Sequence, residues 1–532
     1  MKRTSLVRAL WLGWSLSVGA CAAAPPATPA PPVEPRAGRL PDAGIAVGFE
    51  YALLDNEPLV IGMADAFGAI GLTGMKHYVE AVEWGNMQSG PGAAIKFDKL
   101  DWFVRESQRA GMTELTISLK PHCRWAATRS NLFKVIDPTP QPQYREHFKR
   151  WVNAVVERYD GDGVDDMPGL RWPVRSYEIG NEFSSYEPEP VDDYLATLAM
   201  AYKSAHDAYD GVLVAHAAFL TTPVDLDVGD PADYDRVWNE TRRVDEHHGL
   251  DDLRAVLDRP DLFDVINLHN LGDPYEIEDQ FRWLGYETGQ RGYTKPVMIS
   301  DTLCTSYIGW GTAIQPASPK RGVVVRPATE DDRERLAAYF TKLIDKDRQT
   351  LEWTRGFVAA DQVQRTIIAA EQGVSVINLA FVADIPFLQT RLFGGGAGIS
   401  AWAGALRIAP RGRVLETYPL YHAIGQLTGH MRGATRVERI VHAPDERVRL
   451  YRIDRPEGDR FVAWLNPMRA ILPGDTSPTT TIEIPVETPS VLIEDVITGM
   501  GQTSPTSVRS STTGGHATVQ IGFTPVFVVP ER

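Results

Sequence analysis

Between about residues 44 and 385, short β-rich apolar runs alternate with longer stretches whose apolar positions recur every three or four residues. That pattern belongs to parallel βαβ units. The runs predict eight strands, at 45–52, 74–83, 113–120, 174–181, 212–219, 263–269, 296–301 and 374–382. The amphipathic segments between them include Phe97–Ala110 and Tyr144–Tyr159, the first stopped by Gly111. Eight such repeats predict an α/β fold, a closed (β/α)8 TIM barrel, with its longest insertions after the fifth and seventh strands. A helix over 415–429 completes it.

From about residue 433 the period changes. Runs such as VRLYRI, DRFVAWL, TTIEIPV and PVFVVP stand between Pro, Gly, Asp and Ser turns. They predict a C-terminal antiparallel β-sandwich of roughly eight short strands. The barrel is assigned to residues 44–430 and the sandwich to 431–532. The sandwich carries no cluster of chemistry and reads as a packing or accessory domain.

Residues 1–20 have the form of an export signal. Lys2, Arg3 and Arg8 precede a mostly apolar run, Ala9–Ala20, too short to anchor in a bilayer. The run ends in Val18-Gly19-Ala20-Cys21, which resembles the lipobox of bacterial lipoproteins, where cleavage precedes a cysteine that becomes acylated. A plain secretory signal cut nearby is the alternative. Residues 21–43 are Pro/Ala-rich and read as an extended tether. The expectation is an exported cell-envelope protein, lipid-anchored at Cys21 to the outer membrane or facing the periplasm. Its only membrane contact would be that anchor. Cys123 and Cys304 fall on the third and seventh predicted strands, well apart, and read as free buried thiols rather than a disulfide.

The net charge is −15, with acids and bases interspersed, and signal cleavage removes three cations and no acid. The absence of a basic stripe argues against a nucleic-acid partner. An acidic surface also argues, more weakly, against anionic polysaccharides.

Catalytic groups of a TIM barrel project from the C-terminal ends of its strands. The fourth strand ends Tyr177-Glu178-Ile179-Gly180-Asn181-Glu182. Here the chain resembles the clan-A glycoside hydrolases, whose acid/base Glu follows an Asn at this strand end. Trp84-Gly85-Asn86-Met87, the segment FDKLDWFVRESQRAGM and the seventh-strand run Lys295–Asp301 are similar to further segments of that clan. The resemblance implies a carbohydrate substrate, no cofactor, and Glu182 as the acid that protonates the leaving oxygen. Burial and a second carboxylate would raise the pKa of Glu182. Asn181 would hydrogen-bond the sugar 2-OH, and His269 would stand near the nucleophile. Asp384, after the eighth strand, stands where many members carry an acid. Glu178 shares a strand face with Glu182 and reads as a buried structural carboxylate.

The seventh strand departs from the pattern. The clan's nucleophile is Glu, and Asp301 occupies its place, which retracts the carboxylate by about 1.5 Å. Retaining enzymes hold their two carboxyls about 5–5.5 Å apart and inverting ones about 6.5–9.5 Å. Three outcomes stay open: Asp301 as nucleophile on a shifted strand, Asp301 as base of an inverting reaction, or a catalytically inactive glycan-binding or scaffold lipoprotein that has lost the nucleophile. Glu83 and Asp384 are the other acids to consider. A metal-dependent hydrolase is a weaker reading. His77, His122, His216 and His269 lie on barrel strands, but no HxH or HExxH spacing is present and no metal is expected. Trp84, Trp125, Trp310 and Trp402 are sugar-stacking candidates or core residues. Gly394-Gly395-Gly396 reads as a loop.

Overall fold

In a computed structural model all eight expected barrel strands form, at close to the expected places. The structure describes residues 44–132, 134–183, 189–220, 228–241, 248–303, 330–386, 389–390, 401–441, 445–468 and 471–531. The signal segment with Cys21, and also Cys304, Trp310 and Gly394–Gly396, lie outside the described residues.

In chain order the strands are β1 (Ala46–Phe49), β2 (Gly74–Lys76) and β3 (Glu114–Leu119), then a hairpin of β4 (Ala127–Ser130) and β5 (Val135–Pro140). They continue with β6 (Ser176–Glu182), β7 (Leu213–Leu220), β8 (Ile266–Asn270), β9 (Val297–Thr302) and β10 (Val376–Leu379). Without the hairpin, they pair side by side and parallel in the order β1-β10-β9-β8-β7-β6-β3-β2. Backbone bonds bring the last edge round to the first: Ala52 donates to the Lys76 carbonyl at 3.2 Å, and Tyr78 donates to Ala52 at 3.0 Å. The two edge strands come very close at Gly48 and Gly74. A Cβ on Gly48 would lie 2.6 Å from the Gly74 carbonyl carbon, so only glycine permits the contact.

The helices Asp98–Arg109 and Arg145–Glu157 match their predicted segments. Two boundaries moved. The second strand stops at Lys76 instead of residue 83, because the chain turns away into a 3-10 turn, Val79–Val82, and a helical turn, Trp84–Met87. The helix expected over 415–429 runs from Pro419 to Met431. Pro419 suits a first helical turn, where its missing N–H is not needed. The residues before it form β12 (Val414–Thr417), antiparallel to β11 (Leu406–Ile408).

Eight further strands make the C-terminal unit, from β13 (Arg436–Ile440) to β20 (Val526–Glu531). Six form one antiparallel sheet, and β16 (Thr480–Pro485) pairs with β19 (His516–Ile521) in a second. Strict alternation in β19 buries Ala517, Val519 and Ile521 against Val448, Leu450, Phe461 and Ile484. The residue-430 line separates two architectures but not two cores. Tyr451, Val462, Trp464 and Phe527 belong to the same hydrophobic cluster as the barrel helices. Trp464 Nε1 donates to the Tyr275 hydroxyl at 2.8 Å, and Arg449 pairs with Glu278 at 2.6 Å. Among the described residues no helix is long and apolar enough to cross a membrane.

One buried cation fastens the longest helix, Arg348–Glu371, to the barrel. Arg365, fully buried, pairs with Asp361 at 2.9 Å and donates to the Gly272 carbonyl at 2.7 Å, to Thr302 Oγ1 at 3.2 Å and to Asn270 Oδ1. Removing it strips the buried Asp361 carboxylate of this guanidinium, at a cost of about 3–5 kcal/mol. Arg365→Met is therefore expected to lose that much in urea unfolding, and Arg365→Met with Asp361→Leu to recover most of it. A single variant within about 1 kcal/mol of wild type would contradict this role.

Candidate active site

The site begins at the end of β6. Gly180 takes a φ of +97°, open to glycine, and the register with β7 slips between Ile179 and Glu182. A Cβ at Gly180 would press to 2.8 Å from the Ala217 methyl. This bulge presents Asn181, half-buried, and Glu182, 4% exposed, at the barrel mouth.

The neighbouring strands supply the partners. His269 on β8 and Asp301 on β9 sit side by side in register. His269 Nδ1 lies 2.8 Å from Glu182 Oε1. One oxygen of Glu182, one of Asp301 and one ring nitrogen of His269 all fall within 4.8 Å of one another. The fourth- and seventh-strand acids thus meet beside one histidine, each with an oxygen within reach of the other two groups. The shorter Asp side chain still brings one oxygen within 4.8 Å of a Glu182 oxygen.

Beneath this pair lies a buried charged floor. Glu178 receives Lys76 Nζ at 2.9 Å and Asn267 Nδ2 at 2.8 Å, together with hydroxyl bonds from Ser118 and Ser300. Burial alone would raise the Glu178 pKa, but Lys76, His269 and the Ser118 bond hold it below the ordinary glutamate value. Burial likewise works to discharge Lys76, and Glu178, Glu50 and Asp301 hold its pKa above the usual lysine range. Glu178 is the structural carboxylate its place on the strand suggested. Ser300 Oγ also touches His269 Nε2 at 2.9 Å. Where the one hydroxyl proton goes to Glu178, His269 donates from Nε2.

Asp301 is fully enclosed. Burial raises its pKa first of all, opposed by His269 and Lys76 and reinforced by Glu182. It shares a hydrogen bond with Glu50, on the end of β1, whose own pKa burial and Asp301 push well above the glutamate value. Tyr51 follows with a φ of +67°, a strained backbone for a bulky residue. Its phenol is kept neutral by burial and by Glu50, Asp301 and Glu182. Sequence reading passed over Glu50, Tyr51, Lys76 and Ser300. The available signal was polar residues closing otherwise apolar barrel strands, as in AVGFE and GMK.

Other candidates fall elsewhere. Trp84 is corrected from a sugar platform to core: it has no exposure, its N–H is held by Gln88 Oε1 at 2.9 Å, and it packs on Trp125, Phe148 and Trp151. Trp402 is also buried. Trp125 is half-buried, packed edge-on against Tyr144, with its N–H on the Gln88 carbonyl. Asp384 is corrected too, since its two oxygens are clamped by Arg355 at 2.5 and 2.7 Å and a third bond comes from Gly404 N. That carboxylate is occupied in holding the loop. Glu83 lies 3.7 Å from Lys120. Cys123 is buried and free.

The histidines do not converge. His77 accepts from Ser118 N at 3.0 Å and contacts the Tyr78 carbonyl, while His216 lies between Asn267 N and the Ala217 carbonyl. Among the described residues only His269 belongs to a group with metal-ligating geometry, with Glu182 and Asp301, and its Nδ1 is already bonded to Glu182.

No protein-family model matches the chain, and no curated protein matches it. Solved structures do. A family 39 glycoside hydrolase from Bacteroides cellulosilyticus WH2 aligns at TM-score 0.56 and 12% identity, over 92% of this chain and 81% of the other. The fold is that of glycoside hydrolase barrels. A glucosidase from Croceicoccus marinus aligns at 0.52 and 13%, over 94% and 97% of the two chains. A monomeric beta-xylosidase from Caulobacter crescentus CB15 aligns at 0.52 and 12%, over 93% and 98%. At such identities the likeness is one of fold.

The buried histidines set an acid limit on stability. Burial lowers His77 and His216 to about 4 each. As pH falls from about 6.5 towards 4 the unfolded chain takes up these protons and the folded chain does not, so stability drops through that window, by up to about 3 kcal/mol per residue. Urea titrations at pH 7 and pH 4.5 are expected to show a smaller pH dependence for His216→Gln than for wild type. Identical dependences would contradict the assignment.

Proposed function

We propose that this protein is a glycoside hydrolase that cleaves O-glycosidic bonds with retention of anomeric configuration. Glu182 serves as acid/base and Asp301 as nucleophile. The observation that supports this reading is the spacing, a Glu182 and an Asp301 oxygen within 4.8 Å in one pocket. In the first step Glu182 gives its proton to the glycosidic oxygen as an Asp301 oxygen bonds the anomeric carbon and the leaving group departs. In the second, Glu182 takes a proton from water, which attacks the same carbon and releases Asp301 as carboxylate. Asn181, beside the acid, bonds the sugar 2-OH in this reading, and His269 orients Glu182.

A neutral glycan suits this pocket better than an anionic one. Among the described residues, the acids Glu50, Glu178, Glu182 and Asp301 gather here around the ammonium of Lys76. A uronate or sulfate would meet like charge there.

Aryl glycosides of neutral sugars are the direct test. Glu182→Gln and Asp301→Asn are each expected to lose about 10²–10⁴-fold in turnover. NMR of the first-formed product should show the substrate's anomeric configuration. An inverted product would refute Asp301 as nucleophile. Failure of wild type on a broad panel, with glycan binding intact, would favour the glycan-binding reading.

The N-terminal segment supports a second proposal, delivery to the cell envelope through acylation of Cys21. Metabolic labelling with a fatty-acid analogue is expected to mark wild type and not Cys21→Ser. Label on both would refute the anchor.

A further inference from the structure

The buried acid on the first barrel strand has no place in the two-carboxylate reaction. Glu50 is 2% exposed, and Asp301 6%. The two side chains hydrogen-bond to each other, which two carboxylates cannot do unless one of them holds a proton. Each acid also keeps a buried oxygen, Oε2 of Glu50 and Oδ1 of Asp301, that receives no donor among the described residues. Leaving such oxygens charged and unpaired is costly in a closed pocket. A proton held between the groups removes that cost for one of them.

The surroundings decide which acid keeps it. Glu50, just past β1, is faced by Asp301 from β9, by Glu178 from β6, by the adjoining Tyr51 and by Lys76 Nζ at 3.6 Å from β2. Asp301 is faced by His269, Lys76, Glu182 and Glu50. Asp301 lies in register beside His269, with a carboxylate oxygen within 4.8 Å of a ring nitrogen, and an aspartic acid is ordinarily the stronger acid of the two, so the proton resides on Glu50 and the negative charge on Asp301.

We propose that Glu50 is a positioning residue that stays protonated and donates a hydrogen bond to the Asp301 carboxylate. The bond holds this shortened acid ionised and aimed at the pocket it shares with Glu182. The inference rests on the reading of Asp301 as nucleophile. Glu50 transfers no proton to the substrate. It keeps one carboxylate oxygen of Asp301 engaged and leaves the other for the anomeric carbon. Its proton also spares the pocket an additional negative charge beside the reacting centre.

Glu50→Gln and Glu50→Ala separate this role from simple packing. The amide of Glu50→Gln still donates to Asp301 and does not titrate. It is expected to keep kcat within about 5-fold of wild type and to leave the acid limb of the pH–rate profile in place. Glu50→Ala removes the donor, so the Asp301 pKa rises. It should lose about 10- to 100-fold in kcat with a smaller change in KM, and its acid limb should move to higher pH. Equal losses in both variants, or no loss in Glu50→Ala, would overturn the proposal. Infrared spectroscopy reads the proton without turnover: wild type at pH 7 should show one more protonated-carboxyl carbonyl band than Glu50→Gln. Identical spectra would overturn the proposal as well. Asp301→Asn with wild-type turnover would count instead against the nucleophile assignment, and the infrared comparison would still decide where the proton sits.

Discussion

Negative charge buried in one place is the constraint around which this barrel is built. Glu50, Glu178, Glu182 and Asp301 come from strands β1, β6 and β9 and are all nearly inaccessible. Burial disfavours every ionised carboxylate, and proximity makes each one worse for the others. The structure meets the problem group by group. Glu178 takes the ammonium of Lys76 and three uncharged donors, Glu50 and Asp301 share a hydrogen bond, and Glu182 meets His269. The proposed roles ask this cluster to hold acids in different protonation states side by side. Glycosidic cleavage asks for that difference, one carboxyl able to give a proton and another able to accept a carbon.

The rest of the fold serves that arrangement. A closed parallel sheet places the ends of non-adjacent strands around one mouth, so residues more than 250 positions apart, Glu50 and Asp301, become neighbours. Gly48 and Gly74 let the edge strands meet, and the bulge at Gly180 turns Glu182 inward. Behind the wall, Arg365 ties the longest helix to the ends of β8 and β9, the strands that carry His269 and Asp301. The sandwich packs on the same helix layer through Trp464 and Arg449, so it braces the barrel from outside.

Much of this was legible in the residues. Eight β-rich runs predicted eight strands because a parallel sheet buried on both faces needs continuous apolar stretches, and periodicity of three and four located the helices between them. Glu182 and Asp301 stood out because strand ends are where a barrel can expose chemistry, and the structure brings the two side chains together. What stayed hidden depended on three-dimensional partners. A tryptophan near a strand end looks the same whether it faces a sugar or, like Trp84, a cluster of other rings. Asp384 could not be separated from a free acid until Arg355 was seen to clamp it. Glu50 and Lys76 are single polar residues in apolar runs, and only barrel closure shows that they face each other and Asp301. The hairpin of β4 and β5 escaped because its alternation is short and interrupted by prolines.

The central claim is that Asp301, despite its short side chain, is the group that attacks the sugar while Glu182 handles the proton. The most direct measurement is to trap the covalent intermediate with a 2-deoxy-2-fluoro glycoside bearing a good leaving group and to map the labelled peptide by mass spectrometry. One label per chain, on Asp301, is the predicted result. Stoichiometric label on any other carboxylate would contradict the account.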